Sequence, residues 1–175
     1  MRRRGRTPQV VDTNVVVIAN RKGSESYACA SACALALRGI KQSGSLVIDA
    51  LDQILTEYRN NCSITGQPGV GDSFVRWAHD NRARLDLIQA IWLTSSKEPA
   101  RLFEEFPEHP ALANFDPADQ KFVAVANAHE ARPPILQALD SKWWGWKEAL
   151  LECGVRVEFL CPREIHDIYS QKFGA

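Results

Sequence analysis

The chain has 175 residues and a mass of 19.6 kDa, which suits one core of ordinary domain size, able to bury roughly 70% of the unfolded surface. Its 45% hydrophobic and 24% charged residues exclude a disordered tail, and no apolar run reaches the about 18–20 residues that a bilayer span requires. The 21 basic and 21 acidic side chains cancel, which excludes a wholly basic nucleic-acid coat and leaves any attraction for phosphate to a local patch or a bound metal.

Residues 1–8 read as a flexible basic leader, followed by one domain over 9–175. Arg2, Arg3, Arg4 and Arg6 can contact phosphates, or the leader is simply a solubilising terminus. The apolar stretch that follows is interrupted by Asp12, Thr13 and Asn14, so it is not a signal peptide and a cytoplasmic location is expected. Five cysteines occur without a CxxC pair. Cys29 and Cys33 stand one helical turn apart in an alanine-rich segment, which predicts core packing and reduced thiols.

Taken in chain order, residues 9–18 are β-branched on both faces, the pattern of a strand buried on both sides of a parallel sheet. Ser24 or Ser26 caps a helix that stops at Gly39. Residues 45–48 form a short strand, and Asp49 caps a helix in which Leu51, Ile54, Leu55 and Tyr58 recur at helical spacing, with Glu57 beside that stripe. A loop precedes a helix capped by Asp72, and residues 85–93 are open between strand and helix. A short helix is predicted near residues 101–106, and Asp116 before Pro117 caps the start of a helix containing Asp119, Phe122 and Val125. Then come a strand over 135–139, a helix over 142–153 stopped by Gly154, a strand over 155–160 and a last helix over 162–173.

Strands alternating with helices imply an α/β domain, a central and mostly parallel sheet with helices on both faces. Function then belongs at the carboxyl ends of the strands. Asp12 lies in the first strand, Glu57 on a helix after the second, Asp119 at a helix start and Asp140 at a strand end, so the topology lets four carboxylates converge. A pair of them ~4 Å apart repels by about 4 kcal/mol at an effective dielectric of ~20, which calls for a cation. Oxygen ligands without His or Cys point to Mg²⁺ or Mn²⁺.

Val10-Val11-Asp12-Thr13-Asn14-Val15, Glu57 within residues 55–59, Asp119 with Phe122, Val123 and Ala126, Asp140 followed by Ser141, and the stretch from Cys153-Gly154 to Cys161-Pro162 together resemble the PIN-domain nucleases over about residues 9–165. The resemblance implies a PIN-like fold and a metal-dependent endoribonuclease. Asp12, Glu57, Asp119 and Asp140 would hold one or two Mg²⁺ or Mn²⁺ ions, and an activated water would cut single-stranded RNA to leave a 5′-phosphate and a 3′-hydroxyl. Such proteins are often toxins of toxin-antitoxin pairs, which implies an antitoxin protein as partner; a homodimer is a further expectation, and a membrane is not. Two departures from the pattern are the insert over residues 65–110 and Lys142, which stands two residues after Asp140 where an Asp is usual.

Blander readings stand beside these. Thr13, Asn14 and Ser141 orient carboxylates or metal waters, or else form a turn. Glu57 pairs on a helix surface with Arg59, and Asp119 complements a helix dipole. Asp116 is assigned to capping, whereas Asp140 has no local task and is assigned to metal. His79, His109, His129 and His166 are assigned to surface or capping roles. Trp143, Trp144 and Trp146 pack a helix or a dimer face, with base stacking as the alternative. A non-catalytic PIN-like module that binds RNA or protein is the alternative function. A haloacid-dehalogenase phosphatase with Asp12 as nucleophile is discounted, because Asn14 stands where that family needs a second Asp.

Overall fold

The computed structural model describes residues 6–21, 23–63 and 65–174. Among them, five parallel strands form one sheet, β1 (Thr7–Val11), β2 (Gly44–Asp49), β3 (Ile88–Ile91), β4 (Ile135–Gln137) and β5 (Val157–Phe159), in the order β3-β2-β1-β4-β5. Seven helices flank it: α1 (Thr13–Ala19), α2 (Tyr27–Ser43), α3 (Gln53–Asn61), α4 (Val70–Asp80), α5 (Gln120–Ala128), α6 (Ser141–Glu152) and α7 (Pro162–Phe173). The chain builds outward from β1 to β3 and then returns to the other side of β1 for β4, with Gln9 opposite Leu46 and Val10 opposite Ile135. That reversal beside β1 is the point at which an open parallel sheet forms a crevice at its carboxyl edge.

The core lies on both faces of the central strands. β2 is buried along its whole length, as a strand covered on two sides must be. α5 packs on β1, β2 and β4 and is buried from Gln120 to Ala126, so it fixes the position of the Asp119 that precedes it. Tyr58 of α3 is fully buried, and its hydroxyl donates to the Val11 carbonyl, tying α3 to the end of β1.

Several expectations are corrected. The β-branched run over residues 9–18 is not one strand: β1 ends at Val11 and Thr13–Ala19 is helical. Asp12 caps that helix by accepting from the Asn14 amide at 2.8 Å. Burying Val15, Val16 and Ile18 is worth far more than the few tenths of a kcal/mol that β-branching costs a helix. α2 runs through Gly39 to Ser43, and Gly44 is the true stop. A Cβ there would sit 3.0 Å from the Ile40 Cα and 3.2 Å from the Thr7 carbonyl oxygen. No helix forms over 101–106, where Ser95 instead bridges Phe103 in antiparallel fashion. Asp72 is not the cap of α4 but lies in its first turn and accepts from the Gly69 amide at 3.0 Å. Asp49 closes β2, yet it does hold the start of α3, accepting from the amides of Gln53 and Ile54, both at 2.9 Å.

The expectation of reduced thiols throughout is also overturned, because Cys29 and Cys161 form a disulfide across 132 residues, with Cα atoms 5.3 Å apart. Sequence spacing could not show it, since α2 and the start of α7 meet only in three dimensions. His109 and His129 do serve as caps, each accepting through Nδ1 from an amide two residues on. Among the described residues, no helix is long and apolar enough to cross a membrane.

Candidate active site

The site is assembled at the carboxyl edge beside β1. Asp12 follows Val11 and is only 5% exposed, and its carboxylate accepts the capping contact from the Asn14 amide. The two residues after it face inward to the protein rather than to solvent. Thr13 donates through Oγ1 to Glu57 Oε1 at 2.6 Å, and the Asn14 side-chain oxygen accepts from the Leu139 amide at 2.6 Å. Asn14 therefore fastens the end of β1 to the segment after β4, and in doing so sets the position of Asp140 against Asp12.

Glu57 does not pair with Arg59, which bonds Thr56 instead. Its second oxygen meets Lys121 Nζ at 2.5 Å, and the same ammonium donates to the Ala118 carbonyl. Lys121 was not anticipated. The available signal was a lysine inside the otherwise apolar stripe of α5, where a side chain only 7% exposed needs an anionic partner.

Asp119 stands at the start of α5, with Oδ2 accepting from the buried Trp143 indole N–H at 3.2 Å. The first tryptophan of α6 thus packs the helix and orients a carboxylate. Asp140 is the N-cap of α6 and accepts from the Lys142 amide at 3.2 Å, so it does have a local task, contrary to expectation. Asp116 caps as expected, accepting from the Ala118 amide at 3.0 Å. Its other oxygen meets Lys142 Nζ at 3.1 Å. That ammonium holds the Asp116 carboxyl below the usual carboxylate range, which sets Asp116 apart from its neighbours. Ser141 is buried at the first position of α6. Of the arginines, Arg2, Arg3 and Arg4 lie outside the described residues, whereas Arg6 donates to the Gly44 carbonyl at 2.7 Å and braces the start of β2.

Burial raises the Asp12 carboxyl well above its ordinary value, and the charges of Asp119, Asp140 and Glu57 add to that push. Asp119 is pushed up to about 6 by burial and by Asp140. Among the described residues no ion pair includes either group. A buried and a half-buried carboxylate that repel each other, neither ion-paired among the described residues, are a donor set that fits a hard divalent ion. Among the described residues, no three of the carboxylates bring oxygens within 4.8 Å of one another.

Two cavities lie near the site, and of the four carboxylates Glu57 lines one of them. One of about 450 Å³ runs along Thr56, Glu57, Phe103 and Lys121, so the insert over 65–110 supplies part of its wall. The other, of about 650 Å³, is lined by Asp116, Lys142, Trp146 and Tyr169. The chain matches no protein-family model, no curated protein and no solved structure.

Proposed function

We propose that this protein is a metal-dependent endoribonuclease that hydrolyses single-stranded RNA, as its resemblance to PIN-domain nucleases suggests. The observation that carries this reading is Asp12, a buried carboxylate at the sheet's switch point, near the charges of Asp119, Asp140 and Glu57 and with no basic partner among the described residues. Asp12, Asp119 and Asp140 would hold Mg²⁺ or Mn²⁺, with Glu57 at the edge of the site. When bound, the ion supplies Lewis acidity, favouring ionisation of water near neutral pH and offsetting charge on the departing 3′-oxygen. Trp143 keeps Asp119 in one orientation through its indole N–H. Lys121 and Thr13 hold Glu57, and Asn14 keeps Asp140 at its distance from Asp12. The open cavities near the site give an unpaired strand room to pass, which a stiff duplex could not use.

The test is cleavage of 5′-labelled single-stranded RNA with Mn²⁺ or Mg²⁺, comparing the parent with Asp12→Asn. The parent should yield 5′-phosphate and 3′-hydroxyl ends, and the variant should lose orders of magnitude in rate while keeping its fold. Equal cleavage by both proteins would falsify the mechanism. A second reading is favoured by the Lys121 contact, which already neutralises Glu57: a non-catalytic module that binds RNA or a partner protein such as an antitoxin. On that reading neither protein cuts RNA under any metal.

A further inference from the structure

Cys29, Cys33 and Cys161 bring their three sulfurs within 4.8 Å of one another, all buried. Tetrahedral zinc with Zn–S bonds of about 2.3 Å needs its sulfurs about 3.8 Å apart, a spacing that Cys29 and Cys161 can reach only once the disulfide between them is opened. Cys29 and Cys33 lie one turn apart on α2, in its first two turns, and Cys161 is the N-cap of α7. The N-terminal ends of two helices of 17 and 12 residues therefore meet at the cluster. Glu164, in the first turn of α7, accepts from the hydroxyl of Ser26, the N-cap of α2, so a carboxylate stands at the junction of the same two helix ends. A disulfide between Cys29 and Cys161 uses only two of the three sulfurs and leaves the fully buried Cys33 without a task beyond packing.

We propose that Cys29, Cys33 and Cys161 form a three-sulfur binding site for a thiophilic divalent cation of the zinc type, with water completing the tetrahedron, closed in the oxidised chain by the Cys29–Cys161 disulfide. Opening it takes two electrons, either from a dithiol that becomes a disulfide and supplies the two protons, or from a phosphine that becomes its oxide while water supplies the oxygen and the two protons, and the S–S bond becomes two thiols. Binding then displaces three protons from three thiols and forms three metal–sulfur bonds. Burial, with the carboxylates of Glu164 and Glu25, pushes the free Cys33 thiol up to about 12. The site is independent of the carboxylate centre and of the nuclease proposal.

The experiment titrates the full chain, reduced with a phosphine under nitrogen, with Co²⁺. A thiolate-to-cobalt charge-transfer band in the near ultraviolet and strong tetrahedral visible bands should saturate at one equivalent, and Zn²⁺ should abolish both. The oxidised chain should show neither. Cys33→Ser should weaken binding at least about 100-fold, as loss of a ligand does, while Glu164→Gln should leave the bands in place. Asp12→Asn should leave all bands unchanged, since carboxylates give no such charge transfer. A measurement on the parent alone guards against variants that misfold: of five thiols in the reduced chain, zinc should protect three from a thiol reagent. Absence of the band in the reduced parent, its persistence in Cys33→Ser, or five reactive thiols in the presence of zinc overturns the proposal.

Discussion

Asp119→Asn separates a metal site from a merely structural acidic network. In the metal-free protein the Asp119 carboxyl titrates at about 6, against ~3.9 in an unfolded chain. Between those values the native state retains a proton that the unfolded state has lost, so stability falls as pH rises through the interval and the full penalty applies above it. At about 1.4 kcal/mol for each pH unit, the charged carboxylate costs the native state about 3 kcal/mol. Asparagine keeps the shape, and its side-chain oxygen can still accept from the Trp143 indole, so the substitution removes the charge and little else. In chelator at pH 7.5 the variant should be more stable than the parent by about 2–3 kcal/mol, which for a chain of this size is roughly 5–10 °C in Tm. At pH 4 the difference should vanish, because the parent carboxyl is then neutral. Millimolar Mn²⁺ should raise the parent's Tm and raise the variant's far less. Thermal unfolding followed by circular dichroism at both pH values, with and without metal, reads all three. A variant less stable than the parent at pH 7.5 in chelator, or an equal offset at pH 4 and 7.5, would refute the electrostatic reasoning.

Three further outcomes are expected. Asp116→Ala removes a cap and an exposed ion pair, and should lower stability by about 1 kcal/mol while leaving RNA turnover nearly intact; Asp140→Asn retains the cap and should lose turnover, as unfolding curves and Mn²⁺-dependent cleavage will show. Gly71→Ala places a Cβ 1.9 Å from the Val16 carbonyl oxygen, which is backbone and cannot step aside, so α1 and α4 must separate; denaturant unfolding should register a loss of about 1–3 kcal/mol or more. Removing residues 1–5 while keeping Arg6 on Gly44 should flatten the salt dependence of RNA binding by up to about three phosphate contacts without changing cleavage at saturating RNA. An unchanged salt slope in a filter-binding series assigns those arginines to solubility alone.

Much of the architecture is legible in the sequence because hydrophobic periodicity and punctuation are local. Pro162 opens the last helix, Gly154 at φ 77° stops α6, and the apolar run of β2 announces a strand covered on both sides. The α/β class follows from that alternation, and a parallel sheet has its reactive edge where strands end, which is where Asp12 and Asp140 stand. The β-branched run after Asp12 misleads because propensity is a weak prior. The capping bond from Asn14 and the burial of Val15, Val16 and Ile18 decide for a helix, and the carboxylate is thereby moved from mid-strand to a helix cap at the strand's end.

What the linear chain determined was the inventory and its order: the succession of strands and helices, with Asp12 and Asp140 next to strand ends. Tertiary structure alone decided the partners. Lys121 lies against Glu57, Asn14 fastens Leu139, Lys142 takes Asp116 out of the acidic group, and Cys29 finds Cys161. Each of these pairs joins segments from 26 to 132 residues apart, and the strength of a contact between charges or sulfurs depends on distance and burial in the folded state, which local sequence pattern does not encode.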